Sequence, residues 1–126
     1  MKAIELVKNA IEEYGFRIVE CDELTIMFRY QLNPILARVD EDDRFVALIM
    51  ARAAEVDEEE RSRYLEICNE LNKEVKQVKA YLGEEEYVVL SSEFFYEHDE
   101  DVRAFVRYGL HLLSDTKKRL AQCMRK

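Results

Sequence analysis

The chain has little punctuation: one proline and three glycines in 126 residues. Long elements joined by tight connections are therefore expected, with no flexible linker between them. Three scattered glycines cannot build either of the glycine-rich phosphate loops, which excludes nucleotide binding by those motifs. Histidine is almost as scarce. Only His98 and His111 occur, and neither falls in a Ser or Cys nucleophile motif of the kind that needs an imidazole base. The cysteines, Cys21, Cys68 and Cys123, are odd in number and far apart. Without a Cys-x-x-Cys spacing there is neither a zinc knuckle nor a thioredoxin-type pair, and they are expected to be reduced thiols packed as small hydrophobes. The longest apolar stretch, Phe45 to Ala51, falls far short of the roughly 20 residues that span a bilayer. Basic residues are in the minority, 19 against 27 acidic, for a formal charge of −8. That sign argues against nucleic acid, whose phosphates are bound by clustered Lys and Arg.

What is present is amphipathic pattern. Residues 1–14 carry Ile4, Val7, Ile11 and Tyr14 on one helical stripe, ended by Gly15, which accepts a left-handed backbone. Glu5, Lys8, Glu12 and Glu13 interrupt this segment, so it is not read as a secretory signal, and a cytoplasmic location is expected. Strands are expected at 17–21, 24–30, 35–40 and 44–52. In the second, Leu24, Ile26, Phe28 and Tyr30 alternate with Thr25, Met27 and Arg29, the period of two that marks one buried face. Gln31 to Pro34 are expected to break the ladder. The fourth strand is apolar on both faces, from Phe45 to Met50. It is then central and covered twice, or it supplies a subunit interface.

Asp57 followed by Glu58, Glu59 and Glu60 resembles a capping box opening a helix to about residue 75, with Tyr64, Cys68, Leu71 and Val75 facing inward. A hairpin of 78–82 and 87–96 follows, then a last helix starting within His98–Asp101 and ending in Lys117, Lys118, Arg119, Arg125 and Lys126. The order is α-ββββ-α-ββ-α over one domain, residues 1–126. It predicts an α+β fold with a mainly antiparallel sheet, since most connections are too short for parallel crossovers.

The acidic clusters read as structure. Consecutive ligands at His98–Asp99–Glu100–Asp101 point around a helix instead of converging. Asp40–Asp43 lacks the glycine and alternation of a calcium loop. No catalytic residue, metal ligand or cofactor is assigned. The informative surplus is apolar. On the last helix Val102, Val106, Gly109, Leu113 and Leu120 form one stripe, while Phe105, Tyr108 and Leu112 form a second. One stripe suffices to cover a sheet, so the second implies another helix, a peptide or a second subunit.

The middle helix closes on residues 65–72, LEICNELN, with Asn69, Leu71 and Asn72 in an N-x-L-N pattern, followed by a hairpin and a long terminal helix. In this it resembles the YbjN family, within the fold shared with type III secretion chaperones. The resemblance implies a compact, often dimeric α+β protein that binds polypeptides instead of transforming a substrate. The two asparagines are expected to satisfy backbone groups where the helix ends. The first expectation is therefore a homodimeric, chaperone-like or regulatory protein-binding domain with Val46, Leu48, Met50, Phe105, Tyr108 and Leu112 on its dimer or client surface, selecting basic or neutral clients. The rival expectation is a small-molecule sensor or unrecognised enzyme with a pocket under the last helix, where His111 and Asp115 share a face.

Overall fold

The computed structural model of the chain describes residues 1–125; Lys126, assigned above to the basic end of the last helix, lies outside them. Helix α1 (Ala3–Glu13) leads into strands β1 (Ile18–Cys21), β2 (Thr25–Tyr30), β3 (Asn33–Asp40) and β4 (Phe45–Glu55). Helix α2 (Arg61–Glu74), strands β5 (Val78–Leu82) and β6 (Tyr87–Phe95), and helix α3 (Val102–Met124) complete the α-ββββ-α-ββ-α order. The strands form one sheet in the order β1-β2-β3-β4-β6-β5, and every neighbouring pair is antiparallel. β6 thus inserts between β4 and β5, which leaves β3 and β4 central and β1 and β5 at the edges.

Local chemistry explains the boundaries. At the end of α1, Gly15 adopts φ +81°. Its N–H bonds the Glu12 carbonyl at 3.0 Å and the Phe16 N–H bonds the Ile11 carbonyl at 3.1 Å, the paired closure that a left-handed glycine permits. At the other end the Ala3 N–H donates to Glu41 Oε2 at 2.6 Å. One carboxylate of the Asp40–Asp43 turn therefore caps α1, where the helix presents free N–H groups and its positive end.

Two expectations about boundaries are corrected. Pro34 does not break the sheet but lies within β3, opposite Arg29. The reversal is confined to Gln31 and Leu32, at φ 49° and 68°, a two-residue hairpin turn of the type that follows sheet twist. The β3–β4 ladder begins only at Leu36, so the missing Pro34 N–H interrupts no bond there. Asp57 likewise makes no side-chain capping bond. A single 3₁₀ turn, Glu58–Glu60, precedes α2, which starts at Arg61.

The core lies between the sheet and the helices. Ile26, Phe28 and Tyr30 of β2, Ile35, Ala37 and Val39 of β3, and Val46, Leu48 and Met50 of β4 all point into it. From above they meet Val7 and Ile11 of α1, Tyr64, Cys68 and Leu71 of α2, and Val102, Val106, Leu110, Leu113 and Leu120 of α3. α3 lies so close to β4 and β6 that a Cβ on Gly109 would stand 2.8 Å from Leu48 Cδ1 and 3.1 Å from Ser92 Oγ.

Candidate functional site

Strand alternation divides the sequence-assigned residues sharply. Val46, Leu48 and Met50 are 0–1% exposed, with their side chains in the helix-covered core. Both parities of β4 are apolar, so the pattern did not say which one faces the helices. The other parity, Phe45, Ala47 and Ile49, faces away from them. On α3 the second stripe divides into two half-buried residues and one exposed one. Phe105 is half-buried, its ring edge-on to Phe94 with centroids 5.3 Å apart; Leu112 is half-buried; Tyr108 is 63% exposed.

The N-x-L-N residues are structural. Leu71 is buried in the core. The Asn72 amide donates to the Ala80 carbonyl at 3.0 Å and accepts from the Ala80 N–H at 2.8 Å. β5 is an edge strand, and these are the groups it would otherwise offer to another strand; α2 covers that edge by imitating a strand partner. Asn69 is exposed, and its side chain makes no hydrogen bond among the described residues.

The helices all lie on one side of the sheet, and the opposite face is open. The residues on it are fixed by register. Met27 stands opposite Leu36, Leu36 opposite Ile49, and Ile49 opposite Ser91, giving an apolar row across three adjacent strands that ends at a serine on the fourth. Pro34 and Ala51 extend it, and with Met27, Leu36, Ile49 and Arg52 they bound a cleft of about 310 Å³. Phe45 and Phe95 close one end of the face with ring centroids 4.9 Å apart. Phe95 is 69%, Tyr81 43% and Met27 37% exposed. A sheet face with this much uncovered apolar surface is unlike an ordinary solvated face, where alternation is apolar-in and polar-out.

The charges on this face depart from those of the chain. The acidic runs lie outside the strands, at residues 41–43, 57–60, 84–86 and 97–101, with Asp40 the last residue of β3. On the open face Lys79 pairs with Glu93 at 3.1 Å, and Ser91 Oγ donates to the same carboxylate at 3.0 Å. Arg52 lies 4.0 Å from Glu85 and over the Tyr87 ring. Arg29 and Arg38 alternate with core residues and so stand on this face; among the described residues neither has an ionic or hydrogen-bonding partner. A signal for the face was present in the sequence: Met27, Leu36 and Ile49 are apolar at the off-parity positions of three consecutive strands.

The groups with displaced proton affinities lie elsewhere. Burial pushes the Cys68 thiol up, and burial, helped by nearby carboxylates, pushes up the phenols of Tyr30, Tyr64 and Tyr96. In the β1–β2 turn Asp22 Oδ1 accepts from the Leu24 and Thr25 N–H groups at 2.9 and 2.8 Å, and this holds its carboxyl below the usual range. The pocket expected under the last helix is not supported. His111 and Asp115 are both exposed, and Gly109 seats α3 directly on Leu48 and Ser92. Asp115 borders an open cleft between α3 and the end of α2, with Glu74, Lys76 and Arg119, to which His111 does not contribute. Among the described residues no group of three or more His, Cys, Asp or Glu is placed to hold a metal ion, and no helix is long and apolar enough to cross a membrane.

A one-sheet α+β fold carrying its helices on a single face, with an N-x-L-N tie between α2 and the edge strand, defines the class. The chain belongs to the YbjN family, described as "Putative bacterial sensory transduction regulator", which it matches over residues 3–120. No curated protein matches it. Among solved structures it is similar to YbjN of E. coli, at 16% identity and a TM-score of 0.67, covering 90% of this chain and 87% of that one. It is similar also to the Yersinia pestis type III secretion chaperone SycH in complex with a stable fragment of YscM2, at 17% identity and a TM-score of 0.67, covering 94% and 98%. A third, an uncharacterised protein from Methanothermobacter thermautotrophicus, has 15% identity and a TM-score of 0.54, covering 94% and 99%. At these identities the likeness is one of fold.

Proposed function

We propose that this chain is a non-enzymatic protein-binding domain, chaperone-like or regulatory, that engages polypeptide segments through the open face of its sheet. The observation that carries this reading is the row Met27–Leu36–Ile49, apolar, exposed at Met27 and half-buried at Leu36 and Ile49, running across adjacent strands on the face without helices. Full burial of such a side chain from water contributes roughly 1.5–3 kcal/mol; the exposed part of this row still has that gain to make, and none of the chain's own helices supplies the cover. The family match and the likeness to a secretion chaperone solved with a polypeptide fragment support the same reading.

The test is a peptide array of random sequences probed with the wild-type protein and with Ile49→Asp. Capture of a subset of peptides, lost in Ile49→Asp but kept in Tyr108→Ser, is expected. Capture unaffected by Ile49→Asp rejects the open face as the surface.

Self-association and a cytoplasmic location form part of the same proposal. Self-association is assigned to Tyr108 and Leu112 on the outer side of α3, with the uncovered part of Phe105. Sedimentation velocity should show a dimer that Tyr108→Ser weakens; a monomeric wild-type protein at high concentration rejects it.

A further inference from the structure

From the charge pattern of the open face we infer that its occupant is an acidic polypeptide segment, bound extended, with two carboxylates flanking an apolar residue. This deepens the protein-binding reading and rests on it. It also reverses the expectation, drawn from net charge, that clients are basic or neutral.

Arg29 stands opposite Pro34, and Arg38 lies four residues further along β3, with Leu36 midway between. The two Cα atoms are then about 14 Å apart, from strand rise and spacing. Among the described residues both guanidiniums lack a partner, in a chain with eight more acidic than basic residues. The carboxylates on their face are engaged elsewhere or stand off: Glu93 is held by Lys79 and Ser91, and Asp40, two residues beyond Arg38 on β3, accepts from the Asp43 N–H at 3.3 Å. Glu20 stands opposite Met27, diagonal to Arg29, with no ion pair between them among the described residues. An unpaired guanidinium presents a fork of donors that matches a carboxylate. In an extended peptide, residues i and i+4 are also about 14 Å apart, and i, i+2 and i+4 share one face. An Asp-x-Leu-x-Asp segment laid along β3 therefore sets both carboxylates on Arg29 and Arg38 and its leucine on Leu36 and Ile49. The chain's own acidic turns repel the same segment elsewhere, so the two arginines decide where it lands.

The experiment is fluorescence anisotropy with three labelled peptides, Gly-Ser-Asp-Val-Leu-Val-Asp-Ser-Gly and its counterparts carrying Asn or Lys in place of both Asp. Binding of the Asp peptide about tenfold or more tighter than the Asn peptide is expected, with the Lys peptide weakest. Added salt should narrow the difference. In Arg29→Gln/Arg38→Gln the Asp and Asn peptides should bind alike, while the melting temperature, a check on folding of these exposed sites, stays unchanged. Equal binding of all three peptides, abolished by Ile49→Asp, overturns the acidic preference while keeping the face as a polypeptide surface. Binding unaffected by Ile49→Asp, or no binding, overturns both. A wild-type dimer that Ile49→Asp converts to monomer assigns the face to a second copy and overturns the inference.

Discussion

Asn72 and Ala80 exchange two hydrogen bonds, amide to carbonyl at 3.0 Å and backbone N–H to amide at 2.8 Å, across the outer edge of the sheet. A side chain on α2 thereby occupies the position that another strand would take. One edge of the sheet is closed, and the face opposite the helices remains as the larger opening.

Replacing Asn72 by Ala removes both bonds and frees the β5 edge. A loss of about 1–3 kcal/mol in urea unfolding is expected, with aggregation on prolonged incubation. Asn69→Ala, at the partnerless end of the same motif, should stay within about 0.5 kcal/mol of wild type.

Gly109 permits close approach of α3 to the sheet. Alanine is the better helix former by about 1 kcal/mol, yet its methyl would meet Leu48 Cδ1 at 2.8 Å. Gly109→Ala is therefore expected to destabilise by about 1–3 kcal/mol. Combining it with Leu48→Ala, which alone costs about 2–5 kcal/mol, should cost less than the sum of the two. Additive losses would show that the clash with Leu48 is not the cause.

Phe105 and Tyr108 separate by burial. Phe105→Ser removes a half-buried ring packed edge-on against Phe94 and should cost about 2–3 kcal/mol. Tyr108→Ser should leave the melting temperature nearly unchanged and act only on assembly.

Stability should fall on the alkaline side. The Cys68 thiol and the phenols of Tyr30, Tyr64 and Tyr96 are raised above their ordinary values of 9.0 and 10.0, chiefly by burial. The unfolded chain releases these protons first, so their contribution is whole below about pH 9 and is lost as pH rises towards the folded values. Urea unfolding at about pH 8 and about pH 10.5 should show the drop, with tyrosinate absorbance appearing alongside unfolding. A flat profile would contradict it.

Much of the fold was legible from periodicity. Of the alternating Leu24, Ile26, Phe28 and Tyr30 the last three pack inward, while Leu24 lies in the turn before β2 and is 55% exposed. The stripe Val102–Val106–Gly109–Leu113–Leu120 is buried throughout, because a strand or helix buries one face at its own period. Pro34 misled, because a proline breaks a ladder only where its N–H is needed, and β3 has no β4 partner at that position. Asp57 misled because a cap requires geometry, and the 3₁₀ turn carries the chain past it. The site was half legible. That β4 has apolar residues to spare is visible in Phe45–Met50, but which parity faces outward depends on the register with β3 and β6, which pairs residues distant in sequence. Likewise, net charge reports the whole chain, whereas the acidic residues collect in the turns and leave Arg29 and Arg38 on the face.

The most direct measurement is backbone amide NMR of the protein titrated with the Asp-containing peptide. The account predicts shift changes concentrated at Met27, Arg29, Leu36, Arg38 and Ile49, with Tyr108, His111 and Asp115 on α3 unmoved. Changes centred on α3, with the row across β2, β3 and β4 silent, would contradict it.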